Sequence, residues 1–109
     1  MARTNVEKTL TMLRKLTKFD PDMTVQQIRV LIEVDVGSGE TTAKEIADRM
    51  NVSGPTVSRA LDLWGKYGAG EKPGRNFCER TPDPDDRRVA RLSLTRSGRQ
   101  FVDTLTHVN

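Results

Sequence analysis

Two residues, Asn51-Val52, are all that separates two helix-start signatures, and this spacing leaves room only for a tight turn. The first signature is Thr42-x-x-Glu45, followed by Ile46, Ala47 and Met50. A threonine hydroxyl there accepts from a free backbone N–H, and the glutamate reaches back to the cap. The second is Ser53-Gly54-Pro55-Thr56, a serine cap with proline in the first turn. It leads into Val57, Ala60, Leu61 and Trp64 at three- and four-residue spacing, so Trp64 falls on the apolar face as a core anchor. The pattern predicts helices over 43–50 and 54–66, with Thr56, Ser58, Arg59 and Asp62 on the outer face. Such a pair is either an ordinary helical corner or a helix-turn-helix whose second helix presents its first residues to a DNA major groove. The pattern alone leaves both open.

What surrounds the pair narrows the choice. Upstream, Thr4-x-x-Glu7 precedes the stripe Val6-Leu10-Leu13-Leu16, and Thr24-x-x-Gln27 precedes Ile28, Leu31 and Ile32. These predict helices over 5–18 and 25–36, parted by Asp20-Pro21-Asp22 and stopped by Gly37-Ser38-Gly39. Downstream, Gly68-Ala69-Gly70 and Pro73-Gly74 end the fourth helix and open a loop. Val89 to Leu94 then alternates, with Ala90, Leu92 and Leu94 on one face. Pro82-Asp83-Pro84-Asp85-Asp86 is turn chemistry, so a hairpin is expected, 76–81 with 88–94. Thr95 caps a last helix, 96–107, carrying Phe101, Val102 and Leu105. A short strand is read at Glu40-Thr41. The fold expected is mainly α with a small β-hairpin wing (α+β), a winged helix-turn-helix in one domain spanning 1–109. Its parts are the N-terminal helix, a helix-turn-helix over 42–66, a wing over 75–94 and a C-terminal helix over 96–108.

The residue inventory removes several function classes. With a single cysteine, Cys78, no intrachain disulfide forms, and a reducing cytoplasm is the default compartment. Neither a signal peptide nor a bilayer-length apolar run is read, so no membrane partner is expected. One His (His107) and one Cys make neither a metal cluster nor a nucleophilic triad, and no enzyme activity or cofactor is expected. Asp83-x-Asp85-Asp86 lacks the glycine and glutamate of a calcium loop. Gly68-x-Gly70 lacks the spacing and following Lys-Ser/Thr of a phosphate loop. Cys78 is expected to pack in a strand, and His107 to sit exposed at a helix end. The net charge of +3 is too small to assign a polyanionic partner.

The stretch Thr81-Pro82-Asp83-Pro84-Asp85-Asp86-Arg87-Arg88 sets three acids against two arginines. Together with "MTVQQIRVLIEV" (23–34) and "TTAKEIADRMNVSGPTVSRALD" (41–62), the run "ERTPDPDDRRVARLSLTRSG" (79–98) resembles the MarR-type winged helix-turn-helix transcriptional regulators. The wing run is the most specific part, through Asp83, Pro84, Asp86, Arg87, Arg88, Leu94, Thr95 and Gly98. The resemblance implies that Ser53, Gly54, Pro55, Thr56, Ser58 and Arg59 face the major groove. It also implies that Arg88, paired with Asp86, reaches the neighbouring minor groove. The chemistry agrees: a guanidinium suits the narrow, negative minor groove, and a carboxylate two residues earlier can hold it bidentately. Arg87, Arg91, Lys66, Arg75 and Lys72 are candidates for phosphate contacts, which position without specifying.

Three departures from the family pattern stand out. The segment 68–77 is long, Gly65 falls late in the second helix of the pair, and the chain is short for a family that dimerises through long terminal helices. A homodimer is favoured over a monomer, and control by a small-molecule effector is doubtful. The function expected is sequence-specific binding of double-stranded DNA in transcription, with repression by occupancy the default. The alternatives are a protein–protein interaction module of the same fold, or DNA binding in replication or recombination.

Overall fold

The computed structural model describes residues 2–66 and 74–107, with side chains from Thr4 onward. Among the described residues, five helices and one hairpin follow in the order α1 (Ala2–Phe19), α2 (Val25–Val36), α3 (Ala43–Met50), α4 (Gly54–Trp64), β1 (Cys78–Pro82), β2 (Ala90–Leu94) and α5 (Arg96–Thr106). The expected class, mainly α with a small β-hairpin, is what forms.

Local capping sets the helix starts. Thr24 and Thr42 each close a full capping box: Thr24 Oγ1 accepts from Gln27 N at 3.1 Å, and Gln27 Oε1 accepts from Thr24 N at 2.9 Å. The Thr42–Glu45 pair does the same at 3.2 and 3.0 Å. Ser53 and Thr95 cap α4 and α5 by accepting from Thr56 N and Gly98 N. The turn of the helix pair rests on Asn51, whose φ of 55° and ψ of 46° are left-handed, a conformation in which asparagine is tolerated.

Several expectations are corrected. Thr4 does not cap α1, which already runs from Ala2; Ala2 and Arg3 are good helix formers and nothing breaks the helix before Thr4. Helix α4 ends at Trp64, not at residue 66. Gly65 is its C-cap in extended backbone (ψ −178°), so it carries no helix-interior cost. Glu40-Thr41 forms no strand. There is only an isolated bridge, Thr42 to Arg91, with Leu92 N donating to the Thr41 carbonyl at 2.9 Å. The positive φ values of Ser38 and Gly39 turn the chain just before it, and Thr42 already begins α3, so too few extended residues remain.

The hairpin pairs Cys78 with Leu94 through to Pro82 with Ala90, antiparallel. It is shorter than 76–81 with 88–94 because Asn76 and Phe77 spend their N–H groups on the end of α4, at the Gly65 and Trp64 carbonyls (3.0 and 2.7 Å). At the other strand, residues 87–89 belong to the turn. Gly68-Ala69-Gly70, Lys72 and Pro73 lie outside the described residues.

The core gathers Val30, Leu31 and Val34 of α2, Ile46 and Met50 of α3, Val57, Leu61 and Trp64 of α4, Leu92 and Leu94 of β2, and Val102 of α5. An aromatic group, Phe19, Trp64, Phe77 and Phe101, joins α1, α4, the foot of the hairpin and α5 at centroid separations of 4.6 to 6.1 Å. Gly98 lets α5 approach closely: a Cβ there would run into the Phe77 carbonyl. Lys15 of α1 reaches the C-terminal end of α5, donating to Thr104 O at 2.8 Å and His107 O at 3.4 Å, where the helix dipole favours a cation. Of the α1 stripe only Leu16 enters the core; Val6, Leu10 and Leu13 remain 56%, 43% and 46% exposed.

Candidate nucleic-acid interface

The first turn of α4 carries its own order. Ser53 Oγ and Thr56 Oγ1 lie 2.9 Å apart while Ser53 caps the helix. Gly54, Pro55, Ser58 and Arg59 are exposed and Thr56 is half-buried. These six residues form one contiguous patch at the start of the helix, held from behind by Val57, Ala60 and Leu61 in the core.

The wing tip answers the question of its acids. Asp83 Oδ1 accepts from the backbone N–H groups of Asp85 (2.8 Å) and Asp86 (3.2 Å), which folds the tip. Asp86 then takes Arg88 in a fork: Oδ1 accepts from Arg88 Nε at 3.1 Å and Oδ2 from Nη2 at 3.3 Å. A third bond comes from the Arg88 backbone N–H to Oδ1 at 3.1 Å. Both carboxyls sit below the ordinary carboxylate range. For Asp83 the main cause is the Asp85 N–H, then the Arg91 guanidinium. For Asp86 it is the Arg88 guanidinium, then the Arg88 N–H. The Arg88 side chain is nonetheless 90% exposed, so its direction is fixed while its outer face stays open. Asp85 takes part through its backbone N–H.

The other candidates divide. Arg87 is exposed at the tip. Arg91 is only 31% exposed and is engaged twice, by Asp83 at 2.9 Å and Glu40 at 3.2 Å, which holds its guanidinium in the charged form. Arg75 lies 3.5 Å from Asp20 and stacks over the Phe19 ring, at the α1–α2 corner. Lys66 follows the C-terminal end of α4, opposite to the exposed first turn. The structure therefore brings Ser58 and Arg88 to one groove of about 340 Å³, between the start of α3, α4 and the wing, and leaves Lys66 and Arg75 out of its lining.

Two further cations line that groove, Lys44 and Arg80. Neither stands out in the sequence. Lys44 is at the second position of α3. Arg80 shares the period-two face of β1 with buried Cys78, and its guanidinium lies 3.9 Å from Asp62 of α4. The strand alternation, read together with the pairing register, was the signal available for Arg80.

Cys78 is buried, and burial pushes its thiol up to about 11. Among the described residues no three His, Cys, Asp or Glu side chains gather as a metal site. No described helix is long and apolar enough to cross a membrane.

Residues 22–64, from the turn before α2 to the end of α4, match the model of the MarR family. Solved structures extend the likeness over the wing. A mutant of S. aureus MepR superposes with a TM-score of 0.69 at 25% identity, covering 97% of this chain and 70% of that one. Over residues 22–64 in sequence, and in fold over nearly its whole length, the chain is similar to the MarR family. The transcriptional repressor CouR, solved bound to a 23-mer DNA duplex, gives a TM-score of 0.69 at 26% identity, covering 97% of this chain and 67% of its own. YusO from Bacillus subtilis gives 0.68 at 26%, with the same coverage. No curated protein matches the sequence significantly. Within this MarR-type fold the helix pair and α2 carry the sequence match, whereas the hairpin and α5 rest on the superposition.

Proposed function

We propose that this protein is a sequence-specific double-stranded DNA-binding transcription regulator, acting as a homodimeric repressor that occupies its site. The observation that carries the reading is the Asp86–Arg88 fork, a guanidinium aimed by two side-chain bonds and one backbone bond yet exposed on its outer face. In this reading Ser53, Gly54, Pro55, Thr56, Ser58 and Arg59 meet base edges in the major groove, and Arg88 enters the adjacent minor groove. The backbone between the two grooves then passes along the groove lined by Lys44 and Arg80, with Arg87 as a further phosphate contact. Lys66 is kept as a peripheral phosphate contact. Arg75, held by Asp20 and Phe19, serves the fold first. The DNA seen with CouR supports the assignment by likeness. The uncovered stripe Val6, Leu10 and Leu13 supports pairing through α1.

Duplex binding measured over a salt series tests the reading. Association is expected to weaken with a log–log slope of about −0.9 per phosphate neutralised. Arg88→Ala is expected to cost about 1–3 kcal/mol of affinity with the fold intact. No association at low salt sinks the DNA reading and turns attention to a protein partner. Sedimentation of the wild type and Leu10→Glu decides the dimer, which requires the variant to shift to monomer.

A further inference from the structure

We propose that Arg91 is a positioning residue for Arg88: it ties the wing tip to the connector before α3 and so sets where the exposed guanidinium points. The inference rests on the DNA-binding reading above. It replaces the expectation, from the sequence, that Arg91 itself contacts phosphate.

The geometry forms a relay. Arg91 Nε donates to Asp83 Oδ2 at 2.9 Å, and its Nη1 lies 3.2 Å from Glu40 Oε2. The other oxygen of Asp83 receives the Asp85 and Asp86 N–H groups, and Asp86 in turn grips Arg88. One guanidinium therefore fixes the carboxylate that folds the tip, and the tip fixes the carboxylate that aims the reading arginine.

The far end of the relay is anchored. Glu40 precedes buried Thr41, whose carbonyl accepts from Leu92 N at 2.9 Å. Its hydroxyl accepts from Arg49 Nη2 at 2.9 Å, and Arg49 Nε reaches Glu33 of α2 at 3.0 Å. The wing is thus seated on the α2–α3 body and does not hang from its two strands alone. Polar contacts carry this task because the tip offers little else: in 83–89 the only large apolar side chain is Val89, and it is half-buried. Of the two acids, Asp83 is the firmer partner, 18% exposed against 73% for Glu40. A functional side chain is aimed only as well as its supporting groups are locked.

The test compares the wild type with Arg91→Ala, Arg91→Lys, Asp83→Asn, Arg88→Ala and the Arg88→Ala/Arg91→Ala double variant. Duplex affinity is read over a salt series, and exchange protection of the Asp85 and Asp86 amides is read in free protein. Arg91→Ala is expected to lose affinity by about tenfold, the lower end of what losing a base-reading arginine costs. Its salt slope should be unchanged, protection at Asp85 and Asp86 should fall, and the double variant should bind no worse than Arg88→Ala alone. Asp83→Asn should reproduce this signature, and Arg91→Lys should recover part of the loss. A slope shallower by about 0.9 in Arg91→Ala, or additive losses in the double variant, overturns the proposal, because Arg91 then contacts phosphate directly. Intact amide protection in both Arg91→Ala and Asp83→Asn overturns it too. If the wild type itself binds no duplex, the DNA reading fails and Arg91 has no Arg88 function to serve; the amide readout still decides whether the relay orders the tip.

Discussion

Trp64, fully buried at the end of α4, donates its indole N–H to the Gln27 carbonyl oxygen at 2.7 Å. The bond joins the last turn of one helix of the pair to the first turn of α2, in the same place where Phe77 and Phe101 pack on the indole. Trp64→Phe keeps most of the volume and loses the donor, for an expected cost of about 1–3 kcal/mol. Trp64→Ala leaves a cavity as well and is expected to cost about 3–5 kcal/mol. Urea melts of the three proteins check the order; equal stability of wild type and Trp64→Phe would show that the bond contributes nothing.

Gly98→Ala is expected to destabilise by about 1–3 kcal/mol, because the added methyl meets the Phe77 carbonyl, which is backbone and cannot swing aside. The thermal midpoint reads the effect. A midpoint at or above that of the wild type would mean that α5 slides away from the hairpin foot at no cost.

Asn51 makes the opposite kind of prediction. Its left-handed backbone is better tolerated by glycine than by a branched side chain. Asn51→Gly is expected to be neutral within a few tenths of a kcal/mol, or slightly stabilising, whereas Asn51→Val is expected to cost about 1–2 kcal/mol. Chemical denaturation of the pair checks the difference, and a Val variant as stable as the Gly variant contradicts it.

The wing tip is expected to be acid-labile. Asp83 and Asp86 both have folded carboxyls held below the ordinary 3.8. The folded state therefore binds these protons less readily than the unfolded chain. Their contribution is in place above 3.8 and is lost as pH falls through the depressed folded values. Amide and Arg88 Nε–H resonances, followed as acid is added, should stay at their folded positions through the ordinary carboxylate range and collapse below it. Collapse above 3.8 would contradict the depressed values.

What the sequence reveals here is mainly what is settled locally. The boxes at Thr24–Gln27 and Thr42–Glu45 and the Ser53 and Thr95 caps are decided within one turn, and each forms as the residues imply. The Asp86–Arg88 fork is legible for the same reason, since its partners lie two residues apart. The partners of Arg91 are not legible, because Asp83 lies across the hairpin turn and Glu40 comes from a different connector, neither of which spacing can show. The partners of Arg75 are hidden likewise, because Asp20 and Phe19 meet it only after the chain has folded back on α1. Gly65 is ambiguous in one dimension: a glycine near a helix end is either an interior weakness or the cap, and only the bonds returning from Asn76 and Phe77 decide for the cap.

Lys15, bridging the Thr104 and His107 carbonyls, and Phe19, against Phe101 at 4.6 Å, lock α1 to α5. Phe101 against Trp64 and Phe77 locks that pair to the helix that reads DNA in the proposed function. The uncovered stripe on α1 and the first turn of α4 are then two ends of one stiff lever. In two chains joined along that stripe, the span between reading helices is a built-in dimension. A site whose halves are spaced wrongly must be bent or twisted to fit, and bending a short duplex costs about 1–6 kcal/mol. Such a molecule selects its sites by ruler as well as by letter.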